Sequence, residues 1–142
     1  MLREMKKKKV LFLCTENSCR SQMAEGILRH LRGSEFEVES AGTRPSVVNP
    51  MAIKVMAEIG IDISGHISKS VQDFQGMNFD FVITTCDAAR EACPVFPGKA
   101  RLLHWSLIDP AKVKGSENER LSAFRKVRDE IKLRIQEEFR RC

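Results

Sequence analysis

The sequence has no tyrosine, one tryptophan and eight phenylalanines, so aromatic residues make up only 6% of the chain. This scarcity, together with the lack of any RNA- or DNA-binding motif, argues against a nucleic-acid-binding protein despite a net charge of +5. Much of the positive charge lies in the terminal runs Lys6–Lys9 and Arg140–Arg141, which we interpret as solvated tails. We therefore expect no nucleic acid partner.

Long hydrophobic runs are also missing. No stretch is long and apolar enough to cross a membrane, and the apolar run that follows the charged N-terminus is too short for a signal peptide. The 142 residues, 42% of them hydrophobic, suffice for one core. We expect a single domain over residues 1–142 that is cytoplasmic, monomeric and not associated with a membrane.

The five cysteines include no C-x2-C pair and follow no secretion signal. A disulfide framework is therefore not expected, which leaves reduced thiols, metal ligation or redox catalysis. A zinc site built from Cys14, Cys19, Cys86 and Cys93 is the weakest of these interpretations because the usual close cysteine pair is missing. We predict no bound metal.

The most informative stretch is Val10–Glu25. Its first four residues, Val10–Leu13, predict a buried strand, and from Arg20 the apolar spacing becomes helical. Cys14 ends the strand, and five residues separate it from Arg20. A loop that closes onto a helix N-terminus directs backbone N–H groups into one concavity, which binds a tetrahedral oxyanion, and an arginine adds a two-donor fork. The same field favours the thiolate, so Cys14 is the predicted nucleophile.

Residues of this loop are predicted to bind the oxyanion. Ser21 can donate a hydrogen bond to the Cys14 thiolate, and the side-chain amide of Asn17 can pin the loop. Cys19 is either a packed small residue or the partner of Cys14 in a regulatory disulfide. The predicted substrate-binding residues are Thr15, Glu16, Asn17, Ser18, Cys19, Arg20 and Ser21. The simpler alternative is a buried cysteine and a solvated arginine, but the strand before the loop and the helix after it favour the anion site.

The rest of the chain alternates strand and helix patterns. An α/β fold follows: an open, mostly parallel four-stranded sheet with helices on both faces, whose ligands bind at the C-terminal strand ends. The predicted elements are strands at Phe36–Ser40, Phe79–Thr84 and Arg101–His104, helices at Met51–Ile59 and Lys69–Phe74, and a final helix that begins at Ser116 with Glu119 in a capping box.

Two further cysteines follow the strand that ends at Thr84. Cys86 lies just past that strand, so it shares the C-terminal edge with Cys14, and neighbouring strands are about 4.8 Å apart. Asp87–Ala92 is rich in helix formers and predicts a short helix. Seven residues of helix rise about 10.5 Å, whereas a disulfide needs Cα atoms within about 7 Å. A bond between Cys86 and Cys93 therefore requires this helix to unwind.

Several motifs resemble one known family in sequence and in order. The loop CTENSCRSQMAEG resembles the phosphate loop of low-molecular-weight protein tyrosine phosphatases, and more closely that of the thioredoxin-coupled arsenate reductases that share their fold. The resemblance covers nearly the whole chain and implies a fold of the same type. Its other matches are the C-x6-C-P of Cys86–Pro94, His104-Trp105, Asp109-Pro110-Ala111 and the KVRDEI of Lys126–Ile131.

This resemblance implies a mechanism. Arsenate binds the loop and Arg20, Cys14 attacks arsenic, and Asp109 protonates the departing oxygen. Cys86 then attacks Cys14 and releases arsenite, and Cys93 attacks Cys86 to present a disulfide to thioredoxin. A glutaredoxin-linked relative is the competing assignment for the reductant. By sequence alone, Asp109 can also be a turn residue before a proline, and His104 is expected to position the Asp109 loop or to pack beneath it.

Two alternative functions stay open at this point. One is a low-molecular-weight phosphatase that hydrolyses phosphotyrosine, although such enzymes usually carry a tyrosine after the Asp-Pro and this chain has none. The other is a non-catalytic protein that binds arsenic or an oxyanion through the same thiols.

The chain departs from the family pattern at two positions. Glu16 stands where relatives commonly have glycine, and we expect its carboxylate to point to solvent because it would oppose a bound anion. Some of these reductases bind potassium through residues that align with Asn17, Glu25, Ser40 and an acidic residue at the position of Lys69. An ammonium group cannot ligate a cation, so we expect Lys69 to pair with Glu25 and no cofactor to be bound.

Overall fold

The computed structural model describes residues 6–140. Within that range the chain alternates strands and helices, as the sequence predicts. The elements are β1 (Lys8–Cys14), α1 (Arg20–Arg32), β2 (Phe36–Gly42), α2 (Pro50–Ala57), β3 (Phe81–Thr84), α3 (Asp87–Glu91), β4 (Arg101–His104) and α4 (Glu117–Glu138), with 3₁₀ turns at Val71–Phe74 and Pro110–Lys112. No helix in the described part of the chain is long and apolar enough to cross a membrane.

The four strands form one parallel sheet in the order β2-β1-β3-β4. The chain leaves β1 for β2 on one side and later returns to β3 on the other. The crevice outside the C-terminal ends of β1 and β3 is therefore the place where such a sheet binds its ligands. Leu13 pairs with Thr84 at these ends, so Cys14 and Cys86 follow neighbouring strand ends, as expected.

The two faces of the sheet are covered unequally. One face, which includes Phe12 and Ile83, packs against α1, α2 and α4 in the larger core. Trp105, directly after β4, belongs to this core and lies 5.7 Å from Phe12 between ring centroids. Among the described residues, the opposite face, which includes Leu13 and Val82, is covered by the 3₁₀ turn at Val71–Phe74, by Phe79, by α3 and by the segment that follows α3. Helices therefore lie on both faces, but the second layer is thin.

Element bounds differ from the predictions where turns intervene. Helix α2 ends at Ala57 instead of Ile59, because Gly60 adopts a left-handed φ of +80° and the N–H of Ile61 bonds back to Met56. The segment predicted as a helix from Lys69 is a 3₁₀ turn that begins at Val71.

Other bounds follow from pairing and capping. Lys69 precedes the turn because its carbonyl accepts a hydrogen bond from the N–H of Gly42, the last residue of β2. Strand β3 begins at Phe81, and Phe79 packs instead against Phe74 and Phe96. The capping box between Ser116 and Glu119 at the start of α4 is confirmed.

Candidate active site

Cys14 lies at the end of β1 and is only 3% exposed. Its sulfur accepts a hydrogen bond from the N–H of Asn17 at 3.1 Å and lies 2.8 Å from the hydroxyl oxygen of Ser21. Hydrogen-bond donors around a sulfur stabilise its anionic form. The contact with Ser21 that the sequence suggested is therefore present.

Asn17 holds the loop in place. Its backbone has a left-handed φ of +51°, which asparagine tolerates better than most residues. Its amide nitrogen donates to Ser21 at 2.8 Å and to Ser40 at 2.9 Å. Its amide oxygen accepts from the side chain of Gln22 at 2.9 Å and from the backbone N–H of Lys69 at 2.8 Å. Asn17 and Ser21, predicted to bind substrate, are both fully buried and support the loop from behind.

The segment after β2 runs beside the loop and takes up its carbonyl oxygens. N–H groups of residues 43–49 donate to the carbonyls of Cys14, Thr15, Glu16 and Ser18. These hydrogen bonds hold the carbonyl oxygens towards the segment after β2. A carbonyl aimed at an anion would repel it, so this arrangement favours oxyanion binding.

Gly42 allows the end of β2 to lie close to the backbone of the loop. A Cβ at this position would lie 2.5 Å from the carbonyl oxygen of Thr15 and 2.8 Å from the nitrogen of Asn17. Both neighbours are backbone atoms of the loop, which cannot move away without displacing the residues next to Cys14. Glycine is therefore required here for space.

A cavity of about 270 Å³ opens in front of the loop. Its lining includes the predicted residues Cys14, Thr15, Glu16, Ser18, Cys19, Arg20 and Asp109. Arg44 and Lys112, which sequence reasoning missed, add two positive charges to the wall. Arg44 lies in an irregular segment and Lys112 ends a 3₁₀ turn, and only the folded chain brings them to the loop, so no local signal could have found them.

Arg20 and Asp109 meet at this cavity. Arg20 is the first residue of α1, and its guanidinium donates to the carbonyl of Leu107 at 3.1 Å and lies 3.6 Å from one carboxylate oxygen of Asp109. The other carboxylate oxygen of Asp109 accepts the N–H of Ala111 at 3.0 Å and caps the following 3₁₀ turn. One carboxylate oxygen of Asp109 therefore caps the 3₁₀ turn, and the other lies near the guanidinium of Arg20.

Cys86 lies against the same loop. It is the N-cap of α3, and its sulfur accepts the N–H of Ala89 at 3.4 Å. The sulfur is also 3.3 Å from the hydroxyl oxygen of Thr15, the residue directly after Cys14. Cys86 is 6% exposed, so a second buried thiol lies beside the loop that follows Cys14.

Cys93 follows α3 and does not line the substrate cavity. It opens instead into a separate cleft of about 370 Å³ that it shares with Thr84, Arg90 and His104. Partial burial raises the pKa of its thiol. In this structure the four described cysteines are free thiols, and helix α3 lies between Cys86 and Cys93.

Cys19 is packed into the larger core and is 5% exposed. Burial raises the pKa of its thiol to about 12, so the group is neutral at physiological pH. This environment agrees with a packed small residue better than with a reactive thiol. Cys142 lies outside the described residues.

Glu16 is exposed and accepts a hydrogen bond from the hydroxyl of Ser46 at 3.1 Å. The expected orientation towards solvent is therefore confirmed, although the residue still contributes to the rim of the cavity.

The residues that align with a potassium site are already partnered with one another. The ammonium of Lys69 lies 3.5 Å from the carboxylate of Glu25, which is almost fully buried and accepts a further hydrogen bond from Ser40. The amide oxygen of Asn17 has two N–H donors. Because the oxygen atoms are occupied and a positive charge is built in, this set does not fit a bound cation.

A buried cysteine in a loop that closes onto a helix N-terminus, with an arginine and a carboxylate beside it, is the arrangement expected of a cysteine-dependent enzyme that acts on tetrahedral oxyanions. The sequence profile of the low molecular weight phosphotyrosine protein phosphatases matches residues 9–141, and the chain belongs to that family.

Several similar proteins within the family are arsenate reductases. The arsenate reductase of Shouchella clausii is 48% identical over 131 residues, which are 92% of this chain and 94% of that one. The solved structure of an arsenate reductase in an oxidized state has a TM-score of 0.80 and 37% identity, and it covers 92% of this chain and 95% of that chain. The thioredoxin-dependent arsenate reductase of Corynebacterium glutamicum has a TM-score of 0.70 and 30% identity, over 94% of this chain and 61% of that chain.

Proposed function

We propose that this chain reduces arsenate to arsenite, with Cys14 as the nucleophile. The Cys14 thiolate attacks arsenic and forms a sulfur–arsenic bond, while one arsenate oxygen leaves as water after Asp109 supplies a proton. Arg20 and the loop N–H groups hold the remaining oxygens and stabilise their negative charge.

The next two steps move electrons through the thiols. The Cys86 thiolate attacks the sulfur of Cys14, a Cys14–Cys86 disulfide forms, and the electron pair of the sulfur–arsenic bond goes to arsenic. As(V) thereby becomes As(III), which leaves as arsenite, and two thiols are oxidised. Cys93 then attacks Cys86, frees Cys14 and leaves a Cys86–Cys93 disulfide.

One observation carries this proposal: the sulfur of Cys86 lies 3.3 Å from the hydroxyl of Thr15. Hydrolysis of a phosphate ester needs Cys14, Arg20 and Asp109 only, and a second buried thiol beside the loop adds nothing to it. Arsenate is an oxyanion that thiols can reduce, so the extra thiol has a use only in that reaction. The arsenate reductases among the relatives support the same assignment.

The reductant we propose is thioredoxin. The segment that carries Cys93 is mostly exposed, which gives a protein dithiol access to a Cys86–Cys93 disulfide. The thioredoxin dependence named for the Corynebacterium glutamicum relative supports this choice. Because the relay requires free thiols, we place the enzyme in the reducing cytoplasm.

We further propose that the enzyme works without potassium. Lys69 supplies the positive charge beside Glu25 that a cation would otherwise provide. Its backbone N–H also fixes the amide of Asn17.

The test measures arsenite release with thioredoxin, thioredoxin reductase and NADPH, in parallel with hydrolysis of an aryl phosphate. Cys86→Ser should stop multiple-turnover arsenate reduction and leave aryl phosphate hydrolysis unchanged. Cys14→Ser should abolish both activities. Cys142→Ser serves as the matched thiol control and should change neither.

Each alternative predicts a different pattern. A phosphatase would hydrolyse the aryl phosphate and release no arsenite, with Cys86→Ser indistinguishable from the parent. A binding protein would do neither reaction. Arsenite release that requires glutaredoxin and glutathione would keep the reaction but replace thioredoxin as the reductant.

A further inference from the structure

His104 bridges the sheet and the start of helix α3. One ring nitrogen lies 2.7 Å from the hydroxyl of Thr84, the residue that pairs with His104 across β3 and β4. The other ring nitrogen lies 2.8 Å from the carboxylate of Asp87, the first residue of α3. The imidazole therefore ties helix α3 to two strand ends, and its predicted role beside the Asp109 loop stays a prediction.

The partners of this contact differ in exposure. The imidazole side chain of His104 is 17% exposed and held by the sheet, whereas the side chain of Asp87 is 77% exposed and held mainly by its contact with His104. Ser106 adds a longer hydrogen bond of 3.4 Å to the same carboxylate oxygen. Asp87 directly follows Cys86. The contact therefore holds the first residue of the segment between Cys86 and Cys93, where the chain leaves the sheet.

The short length of α3 links this contact to the redox state. The helix has only five residues, and in the reduced protein its first turn is closed by the N–H groups of Ala89 and Arg90, which bond to the sulfur and carbonyl of Cys86. A Cys86–Cys93 disulfide needs Cα atoms within about 7 Å. Because α3 has fewer than two turns, we take the rearrangement that forms this disulfide to include the first turn of the helix and the position of Asp87.

We propose that the His104–Asp87 contact is a latch specific to the dithiol form, in which His104 is a positioning residue that biases the Cys86–Cys93 couple towards the reduced state. The inference rests on the disulfide relay of the proposed function. His104 and Cys93 line the same cleft, so the latch lies beside the space from which Cys93 must approach. The latch would keep α3 formed until Cys86 has been oxidised and so oppose premature closure of the second disulfide.

The experiment measures the equilibrium between dithiol and Cys86–Cys93 disulfide in mixtures of reduced and oxidised dithiothreitol. A Cys14→Ser background removes the competing bond to Cys14, and acid quenching, alkylation and mass spectrometry give the disulfide fraction. His104→Gln and Asp87→Asn should each shift the equilibrium constant about two- to fivefold towards the disulfide, the range expected from the loss of one partly exposed polar contact.

The controls separate the latch from other effects. The double variant should shift the constant no further than the larger single change, because one contact is lost in all three proteins. Glu91→Gln removes the same charge from the same helix without touching His104, and it should cause no shift towards the disulfide. A purely structural role of His104 would destabilise both redox forms equally and leave the constant unchanged.

Unchanged constants in both single variants, or additive shifts in the double variant, would overturn the latch. If the parent forms no Cys86–Cys93 disulfide at any dithiothreitol ratio, the relay itself is refuted and the latch with it. A disulfide that forms with the same constant in every variant refutes the latch alone. Asp87→Asn changes an exposed side chain, so the test holds even if His104→Gln does not fold.

Discussion

The loop Cys14–Arg20 and the relay segment Cys86–Cys93 lie at the same edge of the sheet, yet they are built in opposite ways. In the loop, Cys14 and Asn17 are buried and bonded to several elements. Between Cys86 and Cys93, only Ala89 is buried. A nucleophile that must meet a transition state needs a fixed geometry, whereas a thiol that passes a disulfide outwards has to move.

The largest effect should follow from filling the space beneath the loop. Gly42→Ala would place a Cβ 2.5 Å from the carbonyl oxygen of Thr15, so the loop must shift. Since a displacement of about 1 Å can cost about a hundredfold in rate, we expect kcat/KM for arsenate and for an aryl phosphate to fall by about that factor. Gly65→Ala, which meets open space, is the matched control. Full activity in Gly42→Ala would show that the loop, like the relay segment, does not need a fixed backbone position.

A second test removes the central hydrogen bonds of the loop. Asn17→Ala leaves the buried partners Ser21, Ser40 and Gln22 without the amide, and we expect unfolding free energy to fall by about 3 kcal/mol. Urea denaturation measures this value. The exposed Asn78→Ala should change it by less than about 0.5 kcal/mol. Similar midpoints for both variants would remove Asn17 from its supporting role.

Hydrogen exchange should show that helix α3 in the relay segment is only marginally stable. In the reduced protein the amides of Ala89, Arg90 and Ala92 have helical or capping partners, and a Cys86–Cys93 bond requires them to be lost. Because so short a helix is only marginally stable, its protection should be modest when reduced and absent when oxidised. Equal protection across residues 87–92 in both states, with the disulfide confirmed by mass spectrometry, would contradict the unwinding.

A small effect is expected at the rim of the loop. Glu16→Gln removes a charge that is exposed and bonded to Ser46, so the KM for arsenate should improve by less than about tenfold. Steady-state kinetics at fixed ionic strength give the value. A hundredfold gain, equivalent to about 2.7 kcal/mol, would mean that the carboxylate faces the bound anion.

The smallest effect concerns the cation. With the ammonium of Lys69 beside Glu25, exchanging potassium for sodium at equal ionic strength should leave both activity and melting temperature unchanged. Thermal unfolding in the two chlorides tests this expectation. A potassium-specific rise in melting temperature would show that the loop has a cation site despite Lys69.

Local patterns were enough to predict most elements of the fold. The strand Arg101–His104 and the capping box at Ser116 agree with the structure, and the four-stranded parallel sheet is confirmed. These features depend on hydrophobic alternation and on residues within one turn of each other. The loop between Cys14 and Arg20 was recognisable for the same reason.

Contacts between distant segments were beyond local patterns. Arg20 donates to Leu107, 87 residues away, and Thr15 meets Cys86, 71 residues away. The sequence suggested that two thiols share an edge of the sheet, but not that the hydroxyl of Thr15 contacts the sulfur of Cys86. The hydrogen bond between His104 and Asp87 was likewise not predicted, and it forms because the end of β4 lies beside β3.

Cys86 and Cys93 both lie within the single connection between β3 and β4, while the loop Cys14–Arg20 joins β1 to α1. In the proposed mechanism, the loop that binds the oxyanion and the thiols that pass on the disulfide are therefore encoded in separate stretches of one gene. A hydrolytic ancestor could gain a redox cycle through changes in one short crossover, without disturbing the loop that binds the anion. Evolution can thus vary the fate of the covalent intermediate while conserving the step that forms it.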